Sequence, residues 1–356
     1  MSVIPVQMFS SLGSCSLKRL LHGYARLSSR KFIKIEGTDA AKFLQGLTTN
    51  DIQKLPPSQG QYSALLNAQG RLMYDIFIYN LPSKDDPEYL IECDGQIQER
   101  VFLHLQTYNL RSKTKIKQVD DGAGMKVLFS SIPVEGSIAN LKDTRTPEWA
   151  FCRYVYKDES KLNSAIDSIK SFEFSEGRYH RERILKGIPE GPYEITSRQS
   201  IPLEYNLDLM GGIDFNKGCY IGQELVYRTH HRGVVRKRIL PLRFHSLNPD
   251  TLKPERPEEF VFDPSCDLTE NLDQQNEFLP TSIEEGKLKI LSRNNFVGKL
   301  IMAQGNIGLG MMRLDELIKS EEARKDLATL DHVGSNWVLA DALIPEWWPK
   351  SAFEGL

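Results

Sequence analysis

A single cysteine stands between two glycines at the head of a basic tract in NKGCYIGQELVYRTHHRG, residues 216–233. Gly218 and Gly222, on either side of Cys219, permit a tight turn and positive φ. From Lys217 to Arg238 there are six Lys or Arg residues and one acid, Glu224, while His230 and His231 add protonatable rings. GQELVYR reads as the start of a helix, with Cys219 just ahead of its N-terminus. Backbone N–H groups, the helix dipole and nearby cations favour a thiolate at such a place. That thiolate would serve as a nucleophile, a redox-sensitive thiol or a metal ligand. A nucleophile needs a positioned base and an orienter, and His230 and His231 are the bases nearest in sequence. A metal site within this chain needs two or three more soft ligands, and no local spacing supplies them. A partner chain supplying the other ligands would complete a cluster. A cysteine that merely packs in its loop fits the same local residues.

The elements that must position this thiol are mixed. FIKIEG reads as a strand, and TDAAKFLQGL as a short helix with Phe43, Leu44 and Leu47 on one face. YSALLNAQGRLMYDIFIYN reads as a hairpin whose loop ends in Gly70, and YLIEC as a further strand. Ile97, Val101, Leu105 and Tyr108 recur at helical spacing; KVLFSS and WAFCRYVY are strand-like, and ESKLNSAIDSIKSF is helical. Antiparallel hairpins interleaved with helices indicate an α+β domain over residues 31–240. A smaller β-rich domain, 241–356, begins with the alternating LPLRFHSL and continues with a glycine-punctuated meander from Lys287. Its insertion 251–285 holds ten acids and two bases, a solvated composition to which no chemistry is assigned. The closing ALIPEWWPK reads as a terminal strand pinned by Trp347 and Trp348.

Composition narrows the function classes. Hydrophobic content of 40%, charged content of 26% and a net charge of −2 are those of an ordinary soluble chain, so any basic patch is local. No eighteen-residue apolar run is present to span a membrane. The five cysteines are scattered, without a C-x-x-C pair, which indicates a reducing compartment. The first thirty-five residues carry Lys18, Arg19, Arg26, Arg30, Lys31 and Lys34 and no acid. With SLKRLLHGYARL able to form a basic amphipathic helix, residues 1–30 read as a mitochondrial transit peptide.

Lys217, Gly218, Cys219, Tyr220, Gly222, Gln223 and Glu224 match a Lys-Gly-Cys-aromatic-x-Gly-Gln-Glu signature. In this the chain resembles the YgfZ-type proteins, relatives of the folate-dependent glycine-cleavage aminomethyltransferase (GcvT). DAAKFLQGLTTNDI, LNAQGRLMYD, RILKGIPEG, IPLEYNLDLM and VGKLIMAQGNIGLGMMR match in the same order. With its basic leader and closing PEWWP, the chain looks specifically like the mitochondrial branch. The resemblance implies a GcvT/YgfZ-like ring of α+β subdomains around a folate-type pocket, closed by a C-terminal β-barrel. It also implies a matrix assembly factor acting late in [4Fe-4S] cluster maturation. Its partners would be A-type iron–sulfur scaffold proteins, and its clients aconitase-type enzymes and radical enzymes such as lipoate and biotin synthases. Cys219 would then complete a [2Fe-2S] cluster shared with the scaffold, supported by Arg228, His230, His231 and Arg232.

The alternative is a tetrahydrofolate-dependent one-carbon transferase of the aminomethyl type, with Asn67, Arg71, Asp75 and Glu204 lining the pocket. Against it, the aminomethyltransferases typically carry adjacent aspartates where this chain has Tyr74–Asp75, and generally lack a cysteine at the position of Cys219. For Asn67 and Asp75, turn capping and strand-end hydrogen bonding compete with ligand contact. A nucleic-acid role for the 228–238 tract would need a broader basic footprint and exposed stacking aromatics.

Overall fold

The structure is a computed structural model. It describes residues 23–119, 124–147, 149–169, 171–245, 289–292, 295–320, 322–325, 327–330 and 337–356. Two units are present: one from His22–Glu176 with Glu190–Val235, the other from Gly177–Pro189 with Arg236–Leu356. Residues 1–22 of the expected leader and the whole acidic insertion lie outside the described residues.

In the first unit, period-two alternation builds two antiparallel sheets. β1 (Tyr24–Leu27), β7 (Lys126–Ser130), β8 (Ala139–Lys142) and β9 (Cys152–Tyr156) make a four-stranded sheet in the order β1-β7-β9-β8. The five-stranded sheet contains β2 (Arg30–Glu36), β3 (Gly60–Leu66), β4 (Leu72–Leu81), β5 (Glu88–Asp94) and β6 (Lys115–Val119), in the order β3-β4-β5-β2-β6. β1 pairs with β7 from Tyr24↔Ser130 to Leu27↔Val127, so the folded unit begins before the boundary expected at residue 30. The strand was missed because its YARL lies within the basic, serine-rich run that reads as a leader.

β4 shows how alternation divides labour across the sheet. Ile76 and Ile78 join a core with Leu44 of α1 (Ala40–Gln45) and Val101 and Leu105 of α2 (Gln98–Tyr108). Asp75, Phe77 and Tyr79 are set on the other face, as their odd positions require. There the guanidinium of Arg153 lies 3.9 Å from the Phe77 ring centroid, and that of Arg145 4.9 Å from it. Buried acids balance these cations. Glu92 accepts from Arg30 Nε and Arg153 Nη1 at 2.7 Å each and from the Tyr79 hydroxyl at 2.6 Å. Glu190 accepts from Arg145 Nη1 at 2.5 Å, and Asp143 from Arg145 Nη2 at 2.7 Å. α3 (Glu159–Asp167) is the helix expected from its apolar spacing, with Asp158 capping it through the Lys161 N–H at 2.9 Å.

The second unit is a closed barrel. β10 (Lys237–His245), β11 (Lys289–Ser292), β12 (Asn295–Gln304), β13 (Ile307–Arg313), β14 (Leu327–Leu330) and β15 (Trp337–Ala342) run in the order β10-β13-β12-β11-β14-β15. Closure by β10–β15 pairing removes the free edges. The unit starts at Arg236 and includes Gly177–Pro189, so its boundary precedes 241 and is not a single cut. The helix α4 (Glu176–Leu185) falls largely in this second unit. The final strand ends at Ala342, before the tryptophans. Trp347 instead donates its indole N–H to the Lys186 carbonyl at 3.0 Å, and Trp348 is buried beside Phe353. Two prolines around PEWWP explain why no strand continues there.

Candidate functional site

The signature folds as a loop tied to the segment that follows α1. Thr49 Oγ1 donates to Gly212 O at 2.6 Å, Asp214 N to Thr49 O at 3.0 Å, and Ile221 N to Gly46 O at 3.0 Å. Lys54 Nζ reaches Asp214 Oδ2 at 2.6 Å. Inside these ties, the buried ammonium of Lys217 donates to three carbonyls: Gln45 at 2.9 Å, Thr48 at 2.6 Å and Asn50 at 2.9 Å. Three acceptors match its three donors. Burial pulls its pKa down to about 8 while Asp51 and Asp214 pull it up, so the clamp is an ammonium at neutral pH. The same ammonium lies 4.9 Å from the ring centroid of buried Tyr220.

The two glycines have different jobs. Gly222 has φ +80, and a Cβ there would meet Asn67 O at 2.5 Å and Gly70 Cα at 2.9 Å, so only glycine fits against the hairpin turn. Gly218 does not adopt the positive φ that the sequence reading allowed it, and a Cβ there meets nothing within 4 Å. Beyond Gly222 runs α5 (Gln223–Arg232), where the sequence placed it. Glu224 is exposed in its first turn and His230, His231 and Arg232 occupy its last, as the helix dipole favours. Gln223 N donates to Tyr220 O at 3.2 Å, closing the turn that follows the thiol.

Cys219 is an exposed free thiol, four residues before the start of α5. Cys93, by contrast, is buried and its pKa is pushed up to about 12 by desolvation. Among the described residues no three His, Cys, Asp or Glu side chains converge to hold a metal ion. The histidines expected to support the thiol are held by aromatic rings: His230 stacks on Phe215 at 3.6 Å, and His231 packs on Tyr227 at 4.1 Å. Desolvation first, and His231 second, lower the His230 pKa. Arg228 and Arg232 are exposed. Phe215 and Tyr227 were not singled out in the sequence, although Tyr227 and His231 stand four apart on one helix face.

The four folate-type residues are placed as follows. Asn67 Oδ1 accepts from Gln69 N at 3.0 Å and Arg71 N at 2.9 Å, which is turn capping. Arg71 Nη1 donates to Gln199 O at 3.2 Å. Asp75 is buried, its Oδ1 accepting from Gly191 N at 3.0 Å while Oδ2 has no partner. Desolvation raises its pKa to about 6; Arg30 acts against that rise and Glu190 adds to it. Glu204 is half-buried beside buried Tyr205. No hydrogen bond joins Asp75 to Asn67 or Arg71. A cleft lined by Leu27, Arg30, Lys31, Phe32, Val119 and Lys126 contains none of the four. The sequence reading also missed the ion network of Arg30, Glu92, Arg145, Arg153 and Glu190, because charged residues scattered over 160 positions show no spacing that reveals contact.

Comparison with known proteins agrees with this architecture. A model of the GCVT N-terminal domain matches residues 23–128, and one of the CAF17 C-terminal β-barrel domain matches residues 236–350. The glycine cleavage system aminomethyltransferase T from Bartonella henselae superposes with a TM-score of 0.61, covering 93% of this chain and 89% of that one. At 14% identity, that likeness shows the GcvT-like fold alone. The fold is therefore that of a GcvT-like α+β protein with a C-terminal β-barrel.

Curated relatives go further. The mitochondrial iron–sulfur cluster assembly factor IBA57 homolog of Aspergillus oryzae is 37% identical over 326 residues, covering 82% of this chain and 70% of the relative. Mitochondrial IBA57 of Homo sapiens is 32% identical over 351 residues, covering 91% and 85%. The chain belongs to this IBA57 family of mitochondrial proteins. No described helix is long and apolar enough to cross a membrane.

Proposed function

We propose that this chain is an iron–sulfur cluster assembly factor of the mitochondrial matrix, acting late in [4Fe-4S] maturation. In this reading Cys219 lends one thiolate to a [2Fe-2S] cluster whose other ligands come from an A-type scaffold partner. The cluster is cargo on its way to aconitase-type and radical enzymes such as lipoate and biotin synthases. The relatives' names support the pathway. One observation carries the role of the thiol: Cys219 is exposed on a loop whose neighbours Lys217 and Gly222 are locked. A thiolate held this way meets a partner's cluster with little ordering cost. A nucleophile would instead need a base directed at the sulfur, and the nearby histidine rings are engaged with Phe215 and Tyr227.

The test is anaerobic. The full chain and Cys219→Ser are each mixed with an A-type scaffold carrying [2Fe-2S], and visible absorption is followed across a size-exclusion peak. A coloured heterocomplex with the wild type only is the expected result. Equal colour with both variants removes Cys219 as a required ligand.

A further inference from the structure

The outward face of α5 has features that presenting a thiol does not require. Four rings make a continuous tier on it. His230 lies nearly parallel to Phe215, with an interplanar angle of 13°, His230 and His231 meet edge-on at 4.8 Å, and His231 leans on Tyr227. Tyr227 is 49% exposed and both histidines are exposed. Val226 is the one buried residue of the helix. Helical spacing puts Glu224, Tyr227, Arg228 and His231 on one side. Arg228 and Arg232 are exposed and make no ion pair among the described residues.

An exposed tyrosine beside one unpaired arginine, with a second at the helix end, is the composition of an interface centre, not of an ordinary solvated helix. Stacking restricts the rotamers of three of the four rings before anything binds, which reduces the entropy lost on association. The charge is also one-sided: two free arginines stand toward the C-terminal end of the helix, and the single acid lies at its start. A ten-residue helix is about 15 Å long, and a standard interface of about 800 Å² per partner covers that length together with the preceding thiol.

We propose that this face of α5 is the docking surface for the protein that brings the remaining cluster ligands, and that this protein presents a carboxylate-bearing surface around an apolar contact for Tyr227. The proposal rests on the shared-cluster reading and specifies how the partner is chosen. Nucleic acid is the weaker occupant, because two free arginines and a chain charge of −2 do not make a phosphate-tracking stripe.

The test measures affinity of the full chain for the [2Fe-2S] A-type scaffold at low, physiological and high salt. Wild type, Cys219→Ser, Tyr227→Ala and Arg228→Glu/Arg232→Glu are compared. Wild-type affinity is expected to fall with salt. Tyr227→Ala and the double charge reversal should each weaken binding at least about thirtyfold, the threshold for a hot-spot contact. The charge reversal should also flatten the salt dependence. Melting curves and the iodoacetamide alkylation rate of Cys219 should stay as in the wild type, which separates a lost surface from a lost fold. Cys219→Ser should lose the colour and keep a salt-sensitive association. A coloured complex that tolerates both surface changes overturns the docking face and leaves the shared cluster standing. Colourless but Tyr227-dependent association overturns the shared cluster and leaves the docking face. No association at all overturns both, and a single-stranded RNA probe bound through these residues in place of the scaffold overturns the protein partner.

Discussion

Replacing Lys217 by methionine tests whether the signature lysine is a structural clamp. Methionine keeps most of the buried stem and removes the ammonium. Asn50 O keeps only a share of the Thr48 hydroxyl proton, at 3.2 Å against 2.9 Å to Leu44 O, and the Gln45 and Thr48 carbonyls lose the ammonium outright. Leaving a buried acceptor unsatisfied costs about 1–3 kcal/mol. Part of that is returned, because the ammonium is itself costly to bury, as its pKa of about 8 shows. The net loss should be about 3 kcal/mol, at the upper end for a single substitution. Urea unfolding at pH 7 measures it, and amide hydrogen exchange should quicken in both tied segments, 45–50 and 211–222. A variant within about 0.5 kcal/mol of wild type, with unchanged exchange in those segments, would refute the clamp.

Three further outcomes follow from the same structure. Gly222→Ala should cost at least about 2 kcal/mol from left-handed strain and the contact with Asn67 O, whereas Gly218→Ala should stay within about 0.5 kcal/mol, both by denaturant titration. Asp75 has its folded pKa raised from 3.8 to about 6, so the folded state binds the extra proton between those values and stability falls as pH rises through that window. Asp75→Asn should therefore be more stable than wild type by up to about 3 kcal/mol at pH 7, with the gap closing near pH 4; a constant gap across urea titrations at both pH values contradicts this. Arg153→Met should lose about 3–5 kcal/mol, because Glu92 and Glu190 then sit buried with one cation fewer. A loss under about 1 kcal/mol would mean that the network repacks around methionine.

Periodicity made much of the fold legible. The β3–β4 hairpin, α2 and α3 sit where apolar spacing put them, the barrel meander where its glycines punctuate the chain, and α5 where the glycine-bounded signature opens a helix. The misses share a physical cause. β8, ANLK, is only four residues long, and β6, KIKQV, is an edge strand without a buried residue, so neither carries a strong apolar signal. The ion network was invisible because its contacts span up to 160 positions and obey no period. For the site, sequence found the thiol and the helix behind it. It could not separate Lys217, whose charge is used inward on three carbonyls, from Arg228 and Arg232, whose charges face solvent.

That separation changes what the basic tract means. Had all these cations surrounded the sulfur, the tract would read as a device for activating a nucleophile. Instead the first cation holds the backbone, the glycine at 222 sets the turn against the hairpin, and the exposed arginines stand on the helix that follows. Fixing the backbone on both sides of one exposed cysteine restricts where the sulfur can be without supplying it with a base or further ligands. Under the proposed reading, a partner carrying an incompletely ligated cluster would meet the missing thiolate already in place, and the ordering cost would be met during folding and not at each encounter.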